Sequence, residues 1–271
     1  MKYADLHMHS SYSDGALTPE ELIENAQIKK IKYISITDHD SIESQYVTKN
    51  KYDDLTIIPG VEFSAKYEEL EIHILGYFVD INNDLLKITL DKVKKNRINR
   101  TKKIIQKLNH NDINISFDEL LATDKTSIGR GNIACLMVKK GYAKNYKEAF
   151  NNYLAKGRLA YVEGEKLEVR EVLKVIEESG GISVLAHPGK MCKDTKIEKI
   201  IKNFKVYGLK GLEVYHPSHT KEQIITFYNM SKKYKLLITG GSDYHGGYTN
   251  NTLGTYGIDE VLLNKLIKLR K

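Results

Sequence analysis

The strongest constraint on the fold is a recurring pattern: short apolar runs of strand length, each followed by or containing a histidine or a carboxylate. Ile31 to Thr37 is a β-branched run that passes into Asp38-His39-Asp40. Leu55 to Val61 leads through Pro59-Gly60 to Glu62, and Glu71 to Val79 carries His73. Ile182 to His187 ends in Ala186-His187-Pro188, and Leu209 to Tyr215 leads into His216-Pro217-Ser218-His219. Lys235 to Gly240 leads into Gly241-Ser242-Asp243-Tyr244-His245. Near the N-terminus, His7-Met8-His9 puts two imidazoles on one side of an extended segment, because residues i and i+2 of a strand share a face. Alone, that pair is as consistent with two ordinary polar histidines as with metal ligands. The partners at the other strand ends favour ligands.

Helix signals alternate with these runs, which predicts an α/β fold. Thr18-Pro19-Glu20-Glu21 is a capping box with proline at the first helical position. Val169, Val172, Leu173 and Ile176 mark an amphipathic helix that Gly180-Gly181 stops. Thr220 to Gln223 opens another helix, and Ile258, Val261, Leu262, Leu266 and Leu269 describe a closing one. From about Leu86 to about Leu167 the strand signals cease. Thr101, Ile104, Ile105 and Leu108 share a helical face, and Phe117 to Ala122, Ile133 to Lys140 and Lys147 to Ala155 read as short helices. The expected organisation is an α/β barrel in two parts, residues 1–86 and 167–271, interrupted by a helical insert, residues 87–166. In barrels the active site lies at the C-terminal ends of the strands, where the histidines and carboxylates fall.

Composition removes other classes. The chain has 271 residues, 41% hydrophobic and 28% charged, ordinary values for a globular protein. No apolar run approaches the roughly 20 residues of a membrane span, and no basic-then-apolar leader opens the sequence. Two cysteines, Cys135 and Cys192, make no disulfide framework, so a reducing cytoplasm is expected. The net charge of +7 favours anionic partners such as phosphorylated metabolites or nucleic acid, although lysines scattered over helix faces give the same total.

The candidate ligands are His7, His9, His39, His73, His187, His245, Glu62, Asp14 and Asp243. One catalytic zinc uses three protein ligands and a water, so nine are too many for one ion. Two or three ions sharing a carboxylate fit, with Glu62 as the natural bridge. Mixed imidazole and carboxylate donors suit Mn, Fe or Zn, whereas Mg prefers oxygen alone.

These motifs, in their order, resemble those of the PHP (polymerase and histidinol phosphatase) family over nearly the whole chain. The resemblance implies a distorted seven-stranded (β/α) barrel with a trinuclear metal centre at the strand ends. It implies that His7, His9, Glu62 and Asp243 hold one ion, Glu62, His73 and His187 a second, and Asp14, His39 and His245 a third. Many relatives have a histidine where this chain has Asp14. The insert, with Gly129-Arg130, Lys139-Lys140-Gly141-Tyr142, Glu148-Ala149-Phe150 and Gly157-Arg158-x-Ala160-Tyr161, resembles one branch of the family. That branch contains nucleoside 3′,5′-bisphosphate phosphatases and 5′-to-3′ exonucleases of short oligonucleotides. There Gly-Arg is usually followed by Pro-His, where this sequence has Gly131-Asn132.

The expected activity is hydrolysis of nucleotide phosphate esters by a metal-bridging hydroxide. Glu62, Asp38 and His216 are the candidate catalytic groups, with Asp38 or Asp40 orienting His39 or shuttling a proton. Arg130, Arg158 and His219 are the candidate substrate contacts. A guanidinium offers paired donors to phosphate oxygens, which makes Arg130 the leading clamp. His216 and His219 serve equally well as groups that orient ligands. No membrane and no obligate protein partner is expected. A histidinol phosphatase or other small phosphomonoesterase is the alternative substrate reading, and a non-catalytic metal-binding module the alternative class.

Overall fold

The computed structural model describes residues 3–48, 52, 54–121, 128–191, 194–247 and 251–270. Nine strands are present among them: β1 (Ala4–Met8), β2 (Tyr33–Ile36), β3 (Thr56–Ile57), β4 (Gly60–Tyr67), β5 (Leu70–Tyr77), β6 (Leu167–Glu168), β7 (Ile182–Leu185), β8 (Gly211–Tyr215) and β9 (Leu237–Gly240). They form two sheets, one of order β1-β2-β3 and one of order β6-β4-β5-β7-β8-β9. The fold is thus mixed α/β, as expected. No continuous ladder closes the sheets into one barrel among the described residues. Single parallel bridges link them instead, Met8 to Tyr244 and His39 to Glu62.

Two strand expectations change in instructive ways. Leu55 to Val61 is not one strand, because Pro59 has no N–H to give a ladder. The chain divides there, so that β3 pairs with β2 whereas β4 pairs with β5 and β6. The β5 strand runs antiparallel to both β4 and β7. His73 therefore sits midway along its strand, and the reversal places it beside Ala186, where β7 delivers His187.

The helices start where the sequence caps them. In Pro19–Ile28 the Thr18 hydroxyl accepts from the Glu21 N–H at 3.2 Å while the Glu21 carboxylate accepts from the Thr18 N–H at 2.8 Å. Lys221–Lys233 repeats the device with Thr220 and Gln223. In the closing helix, Glu260–Lys268, the face differs from expectation. Leu263 and Leu266 are buried, Val261 and Leu269 are exposed, and Ile258 pairs with Ala4 ahead of the helix. The helix Asp194–Val206, between β7 and β8, carried no signal that was read in advance.

The long helix Asp84–Asn109 joins two cores. Leu86, Leu90 and Val93 from its first half pack in the main core with residues of β4, β5 and β8, and with Val169–Glu178. Ile104, Ile105 and Leu108 from its second half pack with Ile133, Met137, Ala149 and Leu154 in a separate core. The insert is thus a small helical body rooted in the main body by one rigid rod. The expected boundary near residue 87 falls inside that rod. The expected helix over Phe117 to Ala122 is Phe117–Leu121, and Ala122 and Cys192 lie outside the described residues. No helix among the described residues is long and apolar enough to cross a membrane.

Candidate metal centre

The expected ligands converge on one buried point. His7 lies in β1, and His9 follows it. Glu62, in β4, is fully buried, with Oε2 lying 3.4 Å from His7 Nε2, 3.3 Å from His9 Nε2 and 3.0 Å from His39 Nδ1. Its other oxygen is 2.9 Å from His73 Nδ1 and 3.0 Å from His187 Nε2. Asp243 Oδ1 is 3.3 Å from His9 Nε2 and 3.6 Å from His245 Nδ1. Asp14 completes the far side, 3.3 Å from His245 Nε2 and 3.9 Å from both His9 Nδ1 and His39 Nε2. Glu62 is therefore the hub, touching five imidazoles brought by four different segments.

The donor chemistry fits divalent ions. Most buried polar atoms in a folded protein find hydrogen-bond partners. Here His7 Nε2, both ring nitrogens of His9, His39 Nδ1, Glu62 Oε2 and Asp14 Oδ1 are buried without one among the described residues. They approach one another within ion-pair distance but without the alignment of hydrogen bonds. Burial, with the charges of His245 and His39, pushes the His9 imidazole down to about 3. Burial and the Lys190 charge bring His187 to about 3. Both rings thus favour the neutral form, which can ligate, whereas the carboxylates beside them raise His7 above its usual range and bring His73 and His245 to about 9. Burial opposes charge on Glu62 and Asp243, but neighbouring cationic groups outweigh it. His39 and His7 act on Glu62, and Lys190 and His7 on Asp243, holding both carboxylates well below their usual range. Positive φ at Asp40 (50°), His187 (25°) and Asp243 (49°) places backbone strain at the site, as functional sites tend to do.

Several groups position this cluster. Glu213, in β8, is fully buried; it accepts from His7 Nδ1 at 2.9 Å and from the His187 N–H at 2.8 Å. It fixes the His7 ring and the backbone of His187 at once, and its place in the strand that leads to His216 was its one sequence signal. Asp5 accepts from the Ser242 and Gly254 N–H groups, tying β1 to the loop that carries Asp243. The chain at Gly241 passes so near His7 that a Cβ would lie 2.3 Å from the His7 Cβ, so only glycine permits the approach.

Some expected roles are corrected. Asp38 does not orient His39: one oxygen accepts from the Ser10 N–H and the Ser13 hydroxyl, and the other from the Ser10 hydroxyl. It holds the loop between His9 and Asp14. Asp40 accepts from the Ser64 N–H and pairs with Arg97 at 2.5 Å, which ties the insert's root to the same region. His219 does not line the cavity over the cluster. Its Nδ1 donates to the Val214 carbonyl, Nε2 accepts from the Gly189 N–H, and the ring packs edge-on against Phe227. Arg158 is exposed on a turn and does not line the cavity over the cluster. His216 does line it, accepting from the Ser218 N–H at Nδ1 and donating from Nε2 to Asp243 at 3.2 Å.

Above the cluster lies a cavity of about 760 Å³, lined on the insert side by Arg97, Arg100, Arg130, Tyr146 and Phe150. Arg130 sits over the Phe150 ring at 5.2 Å and donates to Glu71. Asn132 does not point to substrate: its amide donates to the Ser13 carbonyl at 2.8 Å and its oxygen accepts from the Gly129 N–H. The adjacent Gly131 packs on Asp14, where a Cβ would lie 2.5 Å from Oδ2. Gly131→Ala is thus expected to displace the Asp14 carboxylate. Ångström-scale misplacement costs up to roughly 10²-fold in rate, so a loss of about that size, with one ion fewer per chain by metal analysis, is the expected result.

A two-sheet α/β body with a clustered His/Asp/Glu centre and a helical cover defines a class of metal-binding hydrolase-like domains, and the comparisons agree with it. The PHP domain model matches residues 5–267, and the chain belongs to that family. It is 31% identical over 249 residues to a 5′-3′ exoribonuclease of Haemophilus influenzae, covering 90% of each chain. It is 29% identical over 250 residues to a 3′,5′-nucleoside bisphosphate phosphatase of Chromobacterium violaceum, covering 90% of this chain and 88% of that one. The crystal structure of a candidate metal-dependent phosphoesterase from Bifidobacterium adolescentis superposes with a TM-score of 0.89 at 27% identity, covering 100% of this chain and 97% of that one.

Proposed function

We propose that this chain is a metal-dependent phosphoesterase that hydrolyses nucleotide phosphate esters, either a nucleoside 3′,5′-bisphosphate or a short 5′-phosphorylated oligonucleotide. The observation that carries the reading is the joining of the Glu62-centred cluster to an arginine-lined cavity of about 760 Å³. The relatives' activities, on RNA and on nucleoside bisphosphates, point the same way. We read β1, β2, β4, β5, β7, β8 and β9 as a distorted seven-stranded ring around the centre, and a reducing cytoplasm as its compartment.

Two to three divalent ions, Mn, Fe or Zn, are the cofactors in this reading. His7, His9, Glu62 and Asp243 would hold one, Glu62, His73 and His187 a second, and Asp14, His39 and His245 a third. The short distance from His9 to Asp14 and from His39 to Glu62 supports closely shared ligands. Ions in such a donor set supply Lewis acidity that neutralises charge on a phosphoryl group and lowers the pKa of water. The chain's own groups do the rest. Arg130 binds phosphate oxygens through paired donors. Glu213 accepts from His7 Nδ1 and so turns Nε2 toward the centre, where an ion would take the place of its proton. His216 stands with Nε2 beside Asp243 at the cavity wall, where it can hydrogen-bond a departing oxygen. The insert excludes water and selects the remainder of the substrate.

The test is phosphate release by the Mn-supplied protein from adenosine 3′,5′-bisphosphate, a 5′-phosphorylated trinucleotide and histidinol phosphate. Release from the first two is expected, and turnover of histidinol phosphate alone would overturn the reading. Arg130→Ala is expected to raise KM for both nucleotides by about tenfold to a hundredfold, matching the loss of one or two charge-assisted hydrogen bonds. A KM left unchanged in that variant would remove Arg130 from the substrate site.

A further inference from the structure

The main cavity does not end at the insert. Beyond it lies a second hollow of about 200 Å³, and the two share Glu71, Arg130, Gly164 and Lys166 in their walls. Glu71 is the partition. Its carboxylate accepts from Arg130 Nη2 at 3.0 and 3.2 Å and pairs with Lys166 Nζ at 2.6 Å. It also lies 3.7 Å from His73 Nε2, and His73 touches Glu62, so it stands directly beside the metal centre. The arrangement is one anion on two cations, with Arg97 and Arg100 beside them in the main cavity and Glu68, Glu69 and Glu163 lining the second hollow.

The cations are more deeply buried than the anion. The Arg130 and Lys166 side chains are only 14% and 15% exposed, whereas Glu71 is 37% exposed. Arg130 is further held over Phe150. Arg100 braces the same wall, donating to the Val162 carbonyl at 2.8 Å. A carboxylate on the rim can swing into solvent, while the buried cations stay in place to accept a replacement. A phosphate carries up to twice the charge of a carboxylate and three acceptor oxygens, so it is the better partner for a guanidinium and an ammonium together.

We propose that Glu71 is a displaceable stand-in for the second phosphate of the substrate, the one that is not hydrolysed. It holds Arg130 and Lys166 ready in the free protein, gives them up when a doubly phosphorylated substrate enters, and returns to expel the product. Glu71 is thus a specificity-determining residue that weakens phosphate binding so that product does not accumulate on the cations. The inference rests on the nucleotide phosphoesterase reading for its substrate, but the exchange itself can be measured without turnover.

The experiment compares the metal-loaded wild-type protein with Glu71→Gln and Glu71→Ser, so that the result does not hang on the folding of one variant. Inorganic phosphate is titrated calorimetrically, and KM and kcat are measured for adenosine 3′,5′-bisphosphate and for whichever adenosine monophosphate, 3′ or 5′, carries only the phosphate that the protein releases from the bisphosphate. Removing a charge a few ångströms from the phosphate is expected to tighten inorganic phosphate and to lower KM for the bisphosphate, each by about tenfold. KM for the monophosphate, which lacks the second group, is expected to stay the same. Phosphate bound no more tightly by either variant overturns the proposal. Equal KM shifts for the two nucleotides overturn it as well. So does a fall in kcat and metal content with KM unmoved, the result of a carboxylate that only orients His73. A wild-type protein that hydrolyses neither nucleotide would refute the phosphoesterase reading, and the phosphate titration would still decide for or against the exchange.

Discussion

Glu62→Ala is expected to abolish phosphate release, by at least about a thousandfold in kcat, while leaving a folded chain. The loss of a single oxyanion donor costs roughly 10²–10³ in rate, and Glu62 does more than one donor does. Its two oxygens reach His7, His9, His39, His73 and His187, so its removal takes the shared carboxylate from every part of the cluster except the Asp14 side. The fold should survive because the backbone of Glu62 keeps its place in β4, opposite Leu75, whatever the side chain. Removing the carboxylate leaves imidazoles that can become neutral, which is less costly than stranding an unpaired charge. Metal analysis should show at least one ion fewer per chain, and thermal melting should show a cooperative transition. A mutant with full turnover would end the shared-carboxylate model. A mutant that is inactive but fully metal-loaded would move Glu62 from holding ions to handling protons.

Glu213 gives a useful contrast. It touches no expected substrate position, yet it fixes His7 and the backbone of His187 together. Groups that orient ligands in this way contribute roughly 10–100-fold in metal affinity or activity, a smaller effect than that expected at Glu62. The difference separates a residue shared by the cluster from one that aims its members.

The residues of the centre were readable in the sequence because strand geometry is periodic. An alternating pair such as His7 and His9 must share a face, and a carboxylate that follows an apolar run must emerge at a strand end. The residues that failed to declare themselves act through tertiary contacts that have no local period. Asp38 sits beside His39 in the chain, and adjacency suggested that it serves His39; instead the serines of another loop, Ser10 and Ser13, use both its oxygens. His219 and His216 are near neighbours with opposite fates, one closed off by Val214, Gly189 and Phe227, the other facing Asp243. The hairpin between β4 and β5 turns through Glu68-Glu69, with Glu68 at a φ of 53° and none of the Asn-Gly or Gly residues that mark such turns. The sequence therefore gave no warning that β5 reverses. Glu71 marks only the start of an apolar run in the sequence, and the approach of Arg130 and Lys166 makes it informative. Asn132 and Gly131, which depart from the family pattern, are explained by packing: the amide ties the insert to Ser13, and the missing side chain leaves room for Asp14.

Stripping the protein of metal with a chelator is expected to remove all measurable turnover and to lower Tm by about 10 °C, with Mn restoring both. The activity loss follows from the proposed chemistry, whereas the stability loss follows from the orphaned atoms. Among the described residues His7 Nε2, both nitrogens of His9, His39 Nδ1, Glu62 Oε2 and Asp14 Oδ1 are buried without hydrogen-bond partners, and each such group weakens the folded state unless something meets it. The rings are also crowded, with the His9 centroid 4.5 Å from His39 and 4.2 Å from His245, so protons cannot be added freely to satisfy them. A ligand present at about a thousand times its Kd stabilises the native state by roughly 4 kcal/mol. In a domain of this size, 1 kcal/mol moves Tm by about 2–4 °C, which sets the expected shift for one ion, and further ions would enlarge it. Differential scanning calorimetry of the chelated and reloaded protein measures it, alongside the metal count. Turnover that persisted in protein holding less than one-tenth of an ion per chain would refute metal dependence outright. A Tm that did not move, with activity lost, would mean that the packing of Glu213, Asp5 and Asp38 around the cluster already satisfies the fold, and that the ions serve the reaction alone.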